Sequence, residues 1–74
     1  MADQIRTRRR ELLAEIRQYP GVWTTGMVNG LYQATGWGPC RTTARKDLQA
    51  LARRGVLIER GPVNARTYTL KGGA

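Results

Sequence analysis

The stretch ARKDLQALARRGVLIER, residues 44–60, constrains the fold more than any other part of the chain. Ala44, Leu48, Leu51 and Ala52 recur at the i, i+4, i+7, i+8 spacing of a helix face, and Gly55 closes that helix. The period then changes. Val56 and Ile58 alternate, as do Tyr68 and Leu70, and RGPVNAR between them is rich in turn formers. This predicts a hairpin with strands near 56–60 and 66–70. The hairpin is expected to cover one edge of the helical core.

Two further helices are predicted upstream. In DQIRTRRRELLAEIRQYPG, the residues Ile5, Leu12, Leu13, Ile16 and Tyr19 fall near one face, while Arg6, Arg10 and Arg17 lie opposite. Asp3 is a candidate N-cap, Pro20 and Gly21 are a stop, and the helix spans about 4–18. Val22 and Trp23 suit one short strand. Thr24 or Thr25 then caps a helix whose face holds Met27, Val28 and Leu31, and Gly36 ends it in a left-handed position. Gly26 and Gly30 each weaken that helix by about 1 kcal/mol against Ala, so it depends on packing. GWGPC is a turn, after which Cys40, Thr42 or Thr43 caps the third helix.

The fold class is therefore α+β: a three-helix bundle with a short strand and a C-terminal β-hairpin. It forms one domain over 1–74 with an ordered core at about 4–70 and a frayed end at 72–74. Each helix alone has too narrow an apolar stripe to fold. The expected shared core is Ile5, Leu12, Leu13, Ile16, Trp23, Val28, Leu31, Ala44, Leu48, Leu51, Leu57 or Ile58, Tyr68 and Leu70.

The chain carries 13 Lys/Arg against 5 Asp/Glu, a formal charge of +8 on 74 residues. Such a surplus opposes folding and points to a polyanionic partner, nucleic acid before an anionic membrane. No apolar run is long enough to span a bilayer, and the polar N-terminus has no signal-peptide core, so neither membrane insertion nor export is expected. One cysteine and no histidine argue against a disulfide scaffold and a zinc site. Serine is absent, Cys40 has no histidine to activate it, the acids are not paired, and no glycine-rich loop leads into Lys-Ser/Thr. An enzyme is not expected, nor a cofactor.

The third helix carries the functional signal. At about 100° per residue, Thr42, Lys46, Gln49 and Arg53 point away from the Ala44–Leu48–Leu51 stripe, with Thr43 and Arg45 beside them. A face kept only for solubility usually mixes Glu with Lys. Here the one acid, Asp47, sits beside the core. Arg and Lys donate to guanine, Gln pairs with adenine, a Thr methyl meets thymine, and an α-helix fits the major groove of duplex DNA. Thr42, Thr43, Arg45, Lys46 and Gln49 are therefore the candidate base readers. Arg41, Arg53 and Arg54 are candidates for phosphates.

TARKDLQALARRGVLIER also resembles the winged helix-turn-helix of bacterial transcription regulators, above all the DeoR type. The matching positions are Thr43, Ala44, Arg45, Lys46, Asp47, Leu48, Leu51, Gly55, Val56 and Leu57. The resemblance implies a recognition helix docked in the major groove and a β-wing whose tip meets the DNA backbone or minor groove. It assigns Arg60, Asn64 and Arg66 to the wing. The turn TGWGPC is longer and stiffer than the usual helix-turn-helix connection. DeoR-type regulators also carry a large effector-binding domain, which these 74 residues do not hold, so inducer sensing is not implied.

The remaining features read as structure first. RTRRR in the first helix is a solvated face before it is a phosphate contact. Trp23 and Trp37 are core or core-edge before they are stacking platforms. Cys40 is a small residue near a helix start before it is a redox switch. Asp47 is an intramolecular anchor, paired with an Arg or a backbone amide, before it is a base reader. The reading is a small sequence-specific DNA-binding protein of the bacterial cytoplasm and nucleoid, a transcriptional repressor acting by site occupancy. The alternatives are a DNA-architectural or recombination accessory protein and a winged helix that binds protein or RNA. One domain covers about one half-site, so two copies are expected on DNA, as a homodimer or on adjacent sites.

Overall fold

A computed structural model describes residues 2–37 and 41–71. The readings of GWGPC past Trp37 as a turn, of Cys40 as a cap and of 72–74 as a frayed end lie outside them. The order is α1 (Ala2–Gln18), β1 (Trp23–Thr24), α2 (Thr25–Thr35), α3 (Arg41–Arg53), β2 (Leu57–Arg60), a 3-10 turn (Val63–Ala65) and β3 (Thr67–Leu70). The domain is α+β, three helices with one three-stranded antiparallel sheet in the order β1-β3-β2.

Local chemistry sets most boundaries. α1 starts at Ala2, so Asp3 lies inside its first turn and is not an N-cap. Alanine is the best helix former, and here it extends the helix past the candidate cap. At the other end the amide of Tyr19 still donates to the Glu15 carbonyl at 2.9 Å before the chain leaves the helix ahead of Pro20. Thr24, not Thr25, caps α2: its hydroxyl accepts from the Met27 amide at 3.2 Å. Gly36 ends α2 with φ 85°, its amide bonded to the Tyr32 carbonyl. Thr42 and Thr43 lie within α3, so neither is its cap.

The sheet makes β3 the central strand. Trp23 pairs with Tyr68 and Thr24 with Thr67 on one side, while Leu57 pairs with Leu70 and Glu59 with Tyr68 on the other. Gly61 opens the hairpin loop at φ 90°. A Cβ there would stand 2.8 Å from the Ala65 carbonyl oxygen, so both the dihedral and the space require glycine.

The core is Leu12, Ile16, Trp23, Val28, Tyr32, Ala44, Leu48, Leu51, Leu57 and Tyr68. Leu13, Leu31, Trp37 and Leu70 pack against it, half-buried. Leu57 rather than Ile58 is the buried member of β2. One expected core residue fails: Ile5 is 40% exposed, at the open hollow between α1 and Arg54. Tyr19 and Met27 are also exposed. In α2 the inward face instead joins Val28 to Tyr32 at i+4, a buried tyrosine that the apolar pattern does not include.

Candidate nucleic-acid interface

α3 packs against α2 and against β2, which leaves its opposite side free. α1 has no extended close backbone approach to the other elements. It is joined to them through Leu12 and Ile16 and through an ionic cluster centred on Asp47. That carboxylate is fully buried. Arg8 chelates it, Nε donating to Oδ2 and Nη2 to Oδ1 at 2.9 Å. Arg9 Nε donates to Oδ1 at 2.7 Å and the Tyr32 hydroxyl to Oδ2 at 2.6 Å. The Arg8 guanidinium also lies 5.9 Å from the centre of the Tyr32 ring.

The cluster ties all three helices together: Arg8 and Arg9 from α1, Tyr32 from α2, Asp47 from α3. Burial alone would push the Asp47 carboxyl up, but the hydrogen bonds from Arg8, Arg9 and Tyr32 more than offset this and hold it below its usual value. The same bond to Asp47 raises Arg8. Tyr32 is pushed well above the ordinary phenol range, first by burial and then by the neighbouring carboxylate. Asp47 is thus the intramolecular anchor that its place beside the core suggested. Its two arginine partners come from RTRRR, so that run is not uniformly a solvated face. Fixing Asp47 fixes the rotation of α3, because the directions in which the neighbouring Cα–Cβ bonds leave the helix are then set.

With α3 so held, Thr42, Arg45 and Lys46 are exposed, and Thr43 and Gln49 are half-buried. Arg41, Arg45 and Gln49 line one side of a groove of about 520 Å³. Asn64, Ala65 and Arg66 from the hairpin tip form the other side, and Tyr68 lies between. Thr24, Thr25 and Gly26 close one end, so the N-terminus of α2 opens onto the groove. No acid lines it. An adjoining hollow adds Arg53, with Gln49 and Arg66 shared and Glu59 at its edge.

Five of the candidate residues therefore converge: Arg41, Arg45, Gln49, Asn64 and Arg66. Arg53 is next to them, while Thr42, Thr43 and Lys46 share the helix without lining the groove. Arg60 is exposed at the end of β2. Arg54 is not with this group; it faces α1, beside Arg6, Arg9 and Arg10. Arg66 is not a free cation, since Nη1 donates to Glu59 Oε1 at 3.0 Å. Glu59 also accepts from the Tyr68 hydroxyl at 2.8 Å. Burial and then that carboxylate push Tyr68 up to about 12.

Sequence reasoning missed the groove's α2 end. The capping signal at Thr24 and Thr25 was legible, but not the direction in which that helix start points. Trp23 is buried, and its indole Nε1 donates to the Tyr19 carbonyl at 3.0 Å, so it is a core residue. Among the described residues, no three His, Cys, Asp or Glu side chains come together, and no helix is long and apolar enough to cross a membrane. No family model, curated protein or solved structure matches this chain.

Proposed function

We propose that the chain is a winged helix-turn-helix domain that binds double-stranded DNA and acts as a small transcriptional repressor by covering its site. α3 enters the major groove, and the β2–β3 hairpin is the wing beside it. The observation that carries this reading is the acid-free groove in which Arg41, Arg45 and Gln49 of α3 meet Asn64 and Arg66 of the hairpin tip. Cations and amides that converge from two elements suit a phosphate backbone and base edges together. The start of α2 adds amides and the positive end of a helix dipole at the same groove, which suits a phosphate.

Duplex DNA fits better than RNA, whose A-form major groove is too deep and narrow for side chains on a helix to read. It also fits better than a protein partner at this face, because the exposed large apolar residues, Ile5, Tyr19, Val22 and Met27, all lie off α3.

The test is fluorescence anisotropy with a random-sequence duplex pool and a salt titration. Binding should weaken steeply, log K falling by about five or more per unit of log salt, as for roughly six neutralised phosphates. The enriched pool should converge on a short site. Absence of binding at low salt overturns the reading. Strong bending of the bound DNA would instead select the architectural role.

A further inference from the structure

The charges that the proposed DNA face does not use are sorted around α1. Arg6 and Arg10 lie on one flank of its core-facing stripe, and Glu11 and Glu15 on the other. Each flank adjoins apolar surface. On the basic side, a hollow of about 550 Å³ between α1 and the end of α3 is lined by Ile5, Arg6, Arg9, Arg10, Leu13 and Arg54. Its floor includes the exposed Ile5. Arg9 is bound to Asp47, but among the described residues Arg6, Arg10 and Arg54 form no ion pair. On the acidic side, Glu11 and Glu15 border a small cleft with Leu31, Thr35 and Trp37. Arg8, which also reaches this cleft, is held by Asp47.

The acids on that flank stand out in a chain of charge +8. Asp47 is buried in the helix cluster, and Glu59 is bound by Arg66 and Tyr68. Of the acids from Glu11 onward, Glu11 and Glu15 are the two that form no ion pair among the described residues. They stand one helical turn apart beside an indole, a pattern complementary in charge and in apolar content to the hollow on the opposite flank.

We propose that these two surfaces are the halves of one interface, so that the basic hollow of one copy receives the Glu11–Glu15 edge of the next. The two patches differ and lie on opposite flanks of α1, so we take each copy to meet two different neighbours, a heterologous contact that builds a row; a pair using both contacts at once would be a closed twofold dimer. Copies in a row share one orientation, which suits direct repeats rather than a palindrome. The groove between α3 and the hairpin stays open in every copy, because neither patch contains its residues.

The association is measured without DNA, so its failure is separate from failure of the DNA-binding reading. Sedimentation velocity of the full chain at moderate salt should show a sedimentation coefficient that rises with concentration past the dimer value; a plateau at the dimer overturns the row. Glu11→Lys with Glu15→Lys, or Arg6→Glu with Arg10→Glu, should each weaken association about tenfold or more, since like charges then face each other. All four reversals in one chain restore complementarity at an unchanged net charge and should restore association. These side chains lie outside the core, and a thermal melt by circular dichroism checks that each variant folds. The proposal is overturned if the wild-type chain stays monomeric at every concentration, or if the fourfold variant does not regain what the pairs lost. It also fails if reversing Arg6 and Arg10 weakens binding to a single DNA site while sedimentation is unchanged, since the hollow then holds phosphate.

Discussion

The Tyr32 hydroxyl donates to Asp47 Oδ2 at 2.6 Å between α2 and α3, where neither side chain meets solvent to any extent. This bond and those from Arg8 and Arg9 use the acceptor capacity of the carboxylate in full. Such a cluster adds less net stability than its bond count suggests, because three groups had to leave water. Breaking it from one side is costly for the same reason. Asp47→Ala should lower the unfolding free energy by about 3–5 kcal/mol, since it strands the buried Tyr32 hydroxyl and two half-buried arginines at once. Tyr32→Phe should cost about 1–3 kcal/mol. Urea unfolding of both variants checks this, and an Asp47→Ala loss under about 1 kcal/mol would remove the cluster from the account of stability.

The same cluster, together with the Tyr68–Glu59 pair, should shape the pH dependence of stability. The Asp47 carboxyl is held below its usual value, so the unfolded chain binds a proton more readily than the folded one. Its contribution is complete above about pH 4 and is lost as the pH falls further. Tyr32 and Tyr68 are raised, so their contribution is complete below about pH 10 and is lost at higher pH. The urea midpoint should therefore be flat from about pH 5 to 9 and fall on both sides. In Tyr32→Phe the alkaline fall should shrink. An unchanged alkaline limb in that variant would show that Tyr32 is not what the limb reports.

How much of this was legible before the fold was known depended on the kind of signal. Hydrophobic period and glycine placement gave the element order, the shared stripe of Leu48 and Leu51, and the hairpin. A place on a helical wheel gave Asp47 its role as an anchor. Its partners were not legible, because Arg8 lies 39 residues away within a run of arginines that differ only in direction. Tyr32 was readable at i+4 from Val28, but a hydroxyl-bearing side chain carries no weight in an apolar pattern. Ile5 misled in the opposite way: its position on the stripe is right, but a hollow beside Arg54 lies where a core neighbour would be. The groove itself depends on how the α2 start and the hairpin tip meet α3, and no local pattern encodes that.

Gln49 and Lys46 separate base reading from simple attraction. Gln49 lines the groove, and Lys46 is exposed on the same helix. If they read base edges, Gln49→Ala or Lys46→Ala should cost about 1–3 kcal/mol on the preferred site and relax the choice at one base position. Affinity for random DNA should fall much less. Sequencing the bound fraction of a randomised site for each variant is the measurement. Equal weakening on all sequences would move these residues to the phosphate-binding class.

Arg60 and Arg66 belong to the same hairpin but should behave differently. Among the described residues Arg60 forms no ion pair, whereas Arg66 is bound to Glu59. Arg60→Ala should weaken binding to every sequence alike and flatten the slope of log K against log salt by about 0.9, the value for one phosphate contact on B-DNA. Glu59→Gln should do the opposite. It releases Arg66 toward the groove and removes a negative charge at the edge of the neighbouring hollow, so affinity should rise on all sequences and the slope should steepen. Salt titrations of both variants against one fixed duplex decide it. If Glu59→Gln leaves affinity and slope unchanged, Arg66 braces the hairpin and does not contact DNA. If Arg60→Ala leaves the slope unchanged, the end of β2 stands clear of the backbone.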